Sequence, residues 1–233
     1  MSPNLTFAGR RHTAETKARI SATQLRRCHP VTHGILFKPE MIRKILAGEK
    51  WQTRRLHGLE MVNERPNDFE LITTLDHMVV FLCNDGSGSH HVRFPHLVGQ
   101  RICAGETFAL HKKSNNRTPS ECGKRVRIHF LADGPKGNQF GRTRPGIFLP
   151  FLLSRIRRMI VEVRCERLQQ ITPEDAIAEG VDFYSPHVTG LLNGRQEEDP
   201  VAAYEKLWKS INGADSWEKN PWVFMYEFER FKQ

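Results

Sequence analysis

The sequence lacks an apolar run near the length of about 20 residues that a membrane-spanning helix needs, so no transmembrane segment is predicted. Its five cysteines are widely spaced, and none belongs to a Cys-x-x-Cys pair. This usage is typical of a reducing compartment and gives little support to disulfides or zinc. A Gly-rich phosphate loop, a His-Glu-x-x-His motif and a nucleophile elbow are also absent. We therefore expect a cytoplasmic protein that requires no cofactor and contacts no membrane.

Histidines are the remaining candidates for a metal site. Four of them lie close together in the sequence: His90, His91, His96 and His111. Their spacing fits no standard zinc motif, and neighbouring residues of a strand point to opposite faces. No metal site is predicted.

Positive charge is concentrated in one segment. The whole chain has a formal net charge of +9, whereas residues 111–158 alone hold twelve Lys/Arg and two acidic residues, a net charge of +10. Residues 34–110 are neutral, and residues 159–198 have a net charge of −5. A basic segment on a neutral or acidic body predicts a polyanionic partner, RNA or DNA, although a solvated loop kept soluble by its charges has the same composition. The predicted nucleic-acid contacts are Lys112, Lys113, Arg117, Lys124, Arg125, Arg127, Arg142 and Arg144.

Residues 1–33 form a basic N-terminal extension. They hold six Lys/Arg, one acidic residue and few large apolar residues, so they are predicted to be disordered or loosely helical. Their composition fits a mitochondrial presequence, a basic arm that contacts nucleic acid, or the product of an upstream start codon. The sequence leaves these three alternatives open.

The most informative motif is the run Lys50–Arg55, which follows a short predicted helix. Pro39 fits the first turn of this helix, and Gly48 fits its left-handed end. In the motif, Lys50 precedes Thr53 by three residues, and a cation beside a hydroxyl can activate a nucleophile or clamp an anion. By spacing alone, the same residues also fit a solvated basic turn.

Alternating apolar residues and turn signals predict a mixture of strands and helices. Predicted strands cover residues 77–83, 89–94, 100–110, 126–131, 159–165 and 222–231, and further helices begin after the caps Thr172 and Asp199. Residues 111–150 are predicted to be a long excursion rich in Lys, Arg, Asn, Gly and Pro. Because no βαβ unit repeats, the expected class is α+β with a closed or nearly closed barrel.

Four segments resemble the ASCH domain family, particularly its phage- and prophage-encoded branch. They are GILFKPEMIRKILAGEKWQTRRL, HLVGQRICAGETFAL, MIVEVRCERLQQITPEDAIAEGV and LWKSINGADSWEKNPWVFMYEFERF. They occur in the family's order and cover roughly residues 34–110 and 145–233. The resemblance implies a PUA-like β-barrel with flanking helices, related to modules that bind RNA or modified nucleobases. It predicts a single domain over residues 34–233 with an insertion at about 111–158, in a bacterial or phage-infected cell.

Resemblance to the bacterial N(4)-acetylcytidine amidohydrolases within this family implies a catalytic set of Lys50, Thr53 and Glu106. Thr53 would attack the acyl carbon after losing its proton to Lys50, and the glutamate would protonate the leaving amine or orient the lysine. These three side chains are expected to converge at one mouth of the barrel. Two positions depart from the family pattern, because Gly105 replaces a basic residue and Phe108 replaces a tryptophan.

The ligand expected at this mouth is an acylated cytidine-like nucleoside or base, free or within RNA or DNA. The predicted substrate-binding residues are Trp51, Arg54, Arg55 and Phe108. The two aromatic members offer surfaces on which a base can stack. The expected role of three tryptophans near the C-terminus is packing: Trp208, Trp217 and Trp222. Three other functions stay open, namely a non-catalytic reader of a modified base, an ASCH-type ribonuclease, and a phage accessory protein acting through protein contacts.

Overall fold

The computed structural model describes residues 34–182 and 199–230. The predictions for the basic extension, residues 1–33, lie outside that part of the chain. The described residues form eleven strands in three sheets and four α-helices, which confirms the α+β class. None of these helices is long and apolar enough to cross a membrane.

The strands and helices are named in chain order. The strands are β1 (Ile35–Leu36), β2 (Gln52–Arg55), β3 (Phe69–Thr74), β4 (Met78–Cys83), β5 (Ser89–Arg93), β6 (Arg101–Gly105), β7 (Phe108–His111), β8 (Ile128–Phe130), β9 (Phe140–Arg144), β10 (Arg157–Arg167) and β11 (Trp222–Arg230). The helices are α1 (Pro39–Ala47), α2 (Glu60–Glu64), α3 (Pro173–Ala178) and α4 (Pro200–Asn212).

The largest sheet has five strands in the order β1-β6-β10-β11-β2. Strands β10 and β11 form its long antiparallel centre, and β1 pairs in parallel with β6. Within the described residues no backbone ladder joins β1 to β2, so the sheet is not a closed barrel. A side chain links these outer strands instead, because Arg55 at the end of β2 donates a hydrogen bond of 2.7 Å to the carbonyl oxygen of Leu36 in β1.

The main core lies between this sheet and a second sheet of order β3-β4-β5. Phe81 of β4 packs edge-to-face on Trp222 of β11, with 5.0 Å between the ring centres. Ile102, Ile160 and Phe224 from the five-stranded sheet are also fully enclosed in this core. Burial of aromatic and branched side chains from both sheets holds the two layers together.

Helix ends bring the motif segment next to α3. Gly48 ends α1 at φ +81°, and Gly180 follows α3 at φ +77°, as the turn signals predict. A side chain at Gly180 would place its Cβ only 2.9 Å from the Cβ of Lys50. Glycine therefore permits the close approach of the two segments, and the amide of Trp51 donates to the carbonyl oxygen of Ala178 at 3.0 Å.

The predicted strand over residues 100–110 is two strands, which corrects the sequence expectation. β6 belongs to the five-stranded sheet and ends at Gly105, whereas β7 begins at Phe108 in a third sheet of order β8-β7-β9. The third sheet has its own apolar cluster, which includes Phe108, Leu110, Phe130 and Leu149. The excursion over residues 111–150 is consequently a folded unit with a core, and β9 within it had no clear sequence signal.

Candidate functional site

Strand β2 presents its side chains on alternate faces, which separates the motif into two groups. Gln52 and Arg54 face α3, where both hydrogen-bond the carboxylate of Asp175, at 3.1 and 2.9 Å. Thr53 and Arg55 occupy the alternate positions of the strand. Arg54 therefore lies among carboxylates at α3, whereas Thr53 and Arg55 border a pocket.

The guanidinium of Arg54 is the centre of a buried ionic network. Its side chain is 0% exposed and pairs with three carboxylates: Glu166 at 2.8 Å, Asp175 at 2.9 Å and Glu179 at 3.3 Å. The pKa of Arg54 is raised, since these carboxylates outweigh the effect of its burial. These ion pairs give Arg54 a structural role, while its predicted role in substrate binding stays a prediction.

Lys50 is buried and bound to Glu179 through two hydrogen bonds. Its ammonium donates to the Oε2 atom of Glu179 at 2.7 Å and to the carbonyl oxygen of the same residue at 2.6 Å. Burial lowers the pKa of Lys50; Glu179 opposes this, and the guanidiniums of Arg55 and Arg54 lower it further. Burial also disfavours the charged form of Glu179, but the cations of Lys50 and Arg54 outweigh it and hold the pKa of Glu179 below its usual value. An anionic carboxylate thus lies beside a lysine that loses its proton more easily than usual.

A cavity of about 320 Å³ opens beside these residues, and we call it the motif pocket. Its polar side includes Lys50, Thr53, Arg55 and Glu179. Its apolar side comes from the β1–α1 segment and from α4, and includes Phe37, Met41, Leu207, Trp208 and Ile211. The guanidinium carbon of Arg55 lies 4.9 Å from the centre of the Phe37 ring, which holds this cation at the pocket wall.

Two nitrogen donors belonging to residues of the motif pocket have no acceptor. The Nε atom of Arg55 and the Nε1 atom of Trp208 are buried and lack a hydrogen-bond partner within the part of the chain that the structure describes. Buried donors are almost always paired, so each exception calls for an explanation. A ligand that carries hydrogen-bond acceptors and enters this pocket would supply one.

Glu106 does not line the motif pocket. Its carboxylate, buried at the break between β6 and β7, is bound by Arg155 at 2.8 Å, and Arg155 also binds Asp133 at 2.8 Å. Burial raises the pKa of Glu106, although Arg155 opposes this. In the five-stranded sheet, β10 and β11 lie between β6 and β2, so the predicted convergence is corrected: the carboxylate at Lys50 is that of Glu179.

The two aromatic residues predicted to stack on a base lie elsewhere. Phe108 is fully buried in the apolar cluster of the third sheet, so it offers no surface to a ligand, which corrects its predicted role. Trp51 is 41% exposed and lines a neighbouring cleft between the end of α1 and strands β10 and β11, which shares Lys50 with the motif pocket. Of the four predicted substrate-binding residues, Arg54 and Arg55 line the motif pocket, and Arg55 carries the buried donor without a partner among the described residues.

The departure at Gly105 has a steric cause. A Cβ atom at this position would lie 2.5 Å from the Cδ2 atom of Leu36 and 3.2 Å from the carbonyl oxygen of Gly146. Gly146 belongs to the segment predicted as the insertion, and its own Cβ would lie 2.6 Å from the carbonyl carbon of Gly105. The two backbones therefore pack directly against each other, and a basic side chain has no room.

Seven of the eight predicted nucleic-acid contacts are exposed. The exception is Arg144, which is buried and donates hydrogen bonds to the backbone oxygen and the side-chain oxygen of Asn115. It ties β9 to the turn that follows β7, so its predicted role is corrected to a structural one. The exposed members are Lys112, Lys113, Arg117, Lys124, Arg125, Arg127 and Arg142.

Sequence reasoning missed Glu179 and treated Trp208 as a packing residue. The net charge of −5 over residues 159–198 was the available signal, since a buried cationic motif needs nearby carboxylates. Glu166, Asp175 and Glu179 all come from this acidic segment. Nothing in the periodicity of α4 distinguishes an indole that only packs in the core from one that also lines a pocket.

Comparison with known proteins gives no relative: no family model, no curated protein and no solved structure matches the chain. In the residues that the structure describes, no group of three or more His, Cys, Asp or Glu side chains is arranged to hold a metal ion. The motif pocket is accordingly interpreted from its own geometry.

Proposed function

We propose that this chain is an ASCH-type, PUA-like protein that binds an acylated cytidine-like nucleoside or base in the motif pocket and hydrolyses its amide. The observation that carries the proposal is the meeting of Lys50, Thr53 and Glu179 at one cavity of about 320 Å³. This volume lies in the range of small-ligand sites, about 300–1,000 Å³. The contact of Arg55 with Leu36 supports a barrel-like arrangement in which a side chain bridges the outer strands.

In the proposed mechanism, the Thr53 hydroxyl oxygen attacks the acyl carbon and Lys50 accepts the hydroxyl proton. Burial and the neighbouring guanidiniums favour the neutral amine that this step needs. Lys50 then returns the proton to the leaving exocyclic amine, and water hydrolyses the ester left on Thr53. Glu179 positions the lysine through its two hydrogen bonds. Glu106 takes no part, because it lies outside the pocket.

The two unpaired donors support a nucleobase as the ligand. A pyrimidine carries a ring carbonyl oxygen and a ring nitrogen, which are acceptors suited to the N–H groups of Arg55 and Trp208. Its planar face suits the apolar side of the pocket around Phe37 and Met41. The exposed cations of the insertion add a sequence-independent attraction for RNA or DNA.

A non-catalytic reader of a modified base is the second candidate. The observation that favours it is that both hydrogen bonds of the Lys50 ammonium go to Glu179 and neither goes to Thr53. In a reader, these residues would hold the base through hydrogen bonds without transferring a proton.

The test compares Thr53→Val and Thr53→Ser in the hydrolysis of N(4)-acetylcytidine. Valine keeps the branched shape that suits a strand and removes the hydroxyl, so turnover should fall by roughly 10³-fold or more, whereas serine should retain measurable turnover. Thr74→Val, at an exposed position of β3, is the matched control and should match the wild type.

Unchanged turnover in Thr53→Val would reject the nucleophile. Saturable binding of the nucleoside without turnover by the wild type would favour the reader. Neither binding nor turnover would reject the motif pocket as a nucleoside site.

A further inference from the structure

A second and larger cavity, of about 840 Å³, lies between the insertion and the end of β6. One wall is formed by residues 142–151 and another by the turn at residues 118–120, while Cys103 and Gly105 lie at its base. We call it the insertion groove. It shares no lining residue with the motif pocket, so it is a separate site.

Large apolar side chains lie exposed at this groove. Phe148 is 60% exposed and Ile147 is 64% exposed, and both line it. Phe151, another lining residue, carries the guanidinium of Arg157 over its ring at 4.7 Å. Adjacent exposed hydrophobic residues beside a cavity are typical of an interaction site rather than of ordinary surface.

The segment that carries Phe148 is fixed in place. Gly146 packs directly on the backbone of Gly105, and the amide of Phe148 donates to the carbonyl oxygen of Pro145 at 3.1 Å. On the same wall, Arg144 is hydrogen-bonded to Asn115. The aromatic ring is therefore presented on a held backbone, as a stacking platform requires.

The charge around the groove selects the kind of partner. Arg142 is exposed on its wall, Arg157 lies over Phe151, and among the residues that the structure describes no Asp or Glu lines it. The insertion as a whole adds a net charge of +10 over residues 111–158. A polyanion is attracted to such a surface, and the unpaired bases of a nucleic acid strand also supply flat faces that can stack on an exposed aromatic ring.

We propose that the insertion groove binds single-stranded nucleic acid, with an unpaired base stacked on Phe148 and the phosphates near Arg142. Stacking on an aromatic ring needs an exposed base face, which a duplex does not offer, and it tolerates any sequence. This inference deepens the nucleic-acid contact of the proposed function, because it names the strand type and the stacking residue. It is independent of catalysis in the motif pocket.

The test measures the binding of a labelled single strand of about 12 nucleotides by fluorescence anisotropy, against a duplex of the same sequence. Phe148→Ala should weaken single-strand binding by roughly 5- to 150-fold, because it removes one stacking contact. Phe148→Trp should retain the affinity, and Phe148→Leu, which keeps an apolar side chain without a π face, should behave like the alanine variant. Arg142→Gln should lower the salt dependence of log K by about 0.7, the value for one phosphate contact on a single strand.

Ile72→Ala, at an exposed apolar position of β3, is the control for loss of apolar surface and should bind like the wild type. Equal affinity for strand and duplex, or unchanged single-strand affinity in Phe148→Ala, would overturn the inference. Failure here is distinguishable from failure of the proposed function, because N(4)-acetylcytidine turnover is measured on the same variants and should not change. A wild type that hydrolyses the nucleoside but binds no single strand would support the proposed function and reject the groove as a nucleic-acid site.

Discussion

Glu179→Gln removes the charge that holds Lys50 while keeping the shape of the side chain. Breaking one side of a buried ion pair costs about 3–5 kcal/mol, because the remaining charge is left uncompensated. Glutamine still accepts a hydrogen bond from Arg54, and that arginine keeps Glu166 and Asp175, so the lower end, about 3 kcal/mol, is expected. At about 2–4 °C per kcal/mol for a chain of this size, the melting temperature should fall by about 6–12 °C.

The difference in unfolding free energy between the wild type and Glu179→Gln should depend on pH in a defined direction. The folded-state pKa of Glu179 lies below its ordinary value of 4.5, so its contribution to stability is complete above pH 4.5 and is lost as the pH falls through the folded pKa. The free energies of unfolding of the wild type and Glu179→Gln should therefore differ most near pH 7 and approach each other in acid. Urea unfolding at several pH values measures this difference.

The pH dependence of catalysis distinguishes an effect of Glu179 on the pKa of Lys50 from a merely structural role. Glu179 raises the pKa of Lys50, so removing its charge lets the amine lose its proton at lower pH. The acid limb of the pH–rate profile for nucleoside hydrolysis should shift to lower pH in Glu179→Gln. Glu106→Gln is the matched control, since Glu106 is also buried and ion-paired but lies outside the pocket. A shifted profile in Glu106→Gln with an unshifted one in Glu179→Gln would refute the assignment.

Two further predictions concern donors and close packing. Trp208→Phe and Trp222→Phe remove similar volumes, but the indole N–H of Trp222 donates to the carbonyl oxygen of Pro66, whereas that of Trp208 is unpaired within the described ranges. Trp222→Phe should therefore lower the free energy of unfolding, measured by chemical denaturation, by about 1 kcal/mol more than Trp208→Phe. Only Trp208→Phe should weaken nucleoside binding, and equal effects on binding would contradict this. Gly146→Ala should destabilise the protein by about 1–3 kcal/mol, because its Cβ meets the backbone of Gly105. Gly123→Ala, with open space around its Cβ, should be near neutral, and equal melting temperatures of the two variants would contradict the packing.

Local rules recovered much of the secondary structure. Pro39 and Gly48 delimit α1, and Thr172 caps α3 by accepting a hydrogen bond from the amide of Asp175, as their positions predict. These signals act within a few residues, so a single sequence is enough to recognise them. The break at Glu106 could not be predicted from local sequence, because apolar residues continue on both sides of it and the adjoining backbone at Gly146 lies about forty residues further along the chain.

Only part of the candidate site could be predicted from the sequence. Lys50 and Thr53 line one pocket, since both come from a segment of four residues. Its carboxylate comes from Glu179, which directly follows α3 and lies 129 residues beyond Lys50, so the pairing depends on how α3 packs against β2. Charge balance predicts that some carboxylate must neutralise the buried lysine, but spacing cannot select which one.

Gly105 and Phe108, the two positions at which the sequence differs from the pattern it resembles, both pack against the insertion. Gly105 is required because the insertion packs its Gly146 there, and Phe108 is enclosed by the apolar cluster of the insertion. Glu106 is bound by Arg155 and, through it, linked to Asp133, and both of these partners lie within residues 111–158. Gly105 and Phe108 therefore reflect the packing of the insertion, whereas no residue of the insertion lines the motif pocket at Lys50 and Thr53. Because Glu106 is engaged by the insertion, the proposed hydrolysis depends on Lys50 and Thr53 with Glu179 as their neighbouring carboxylate.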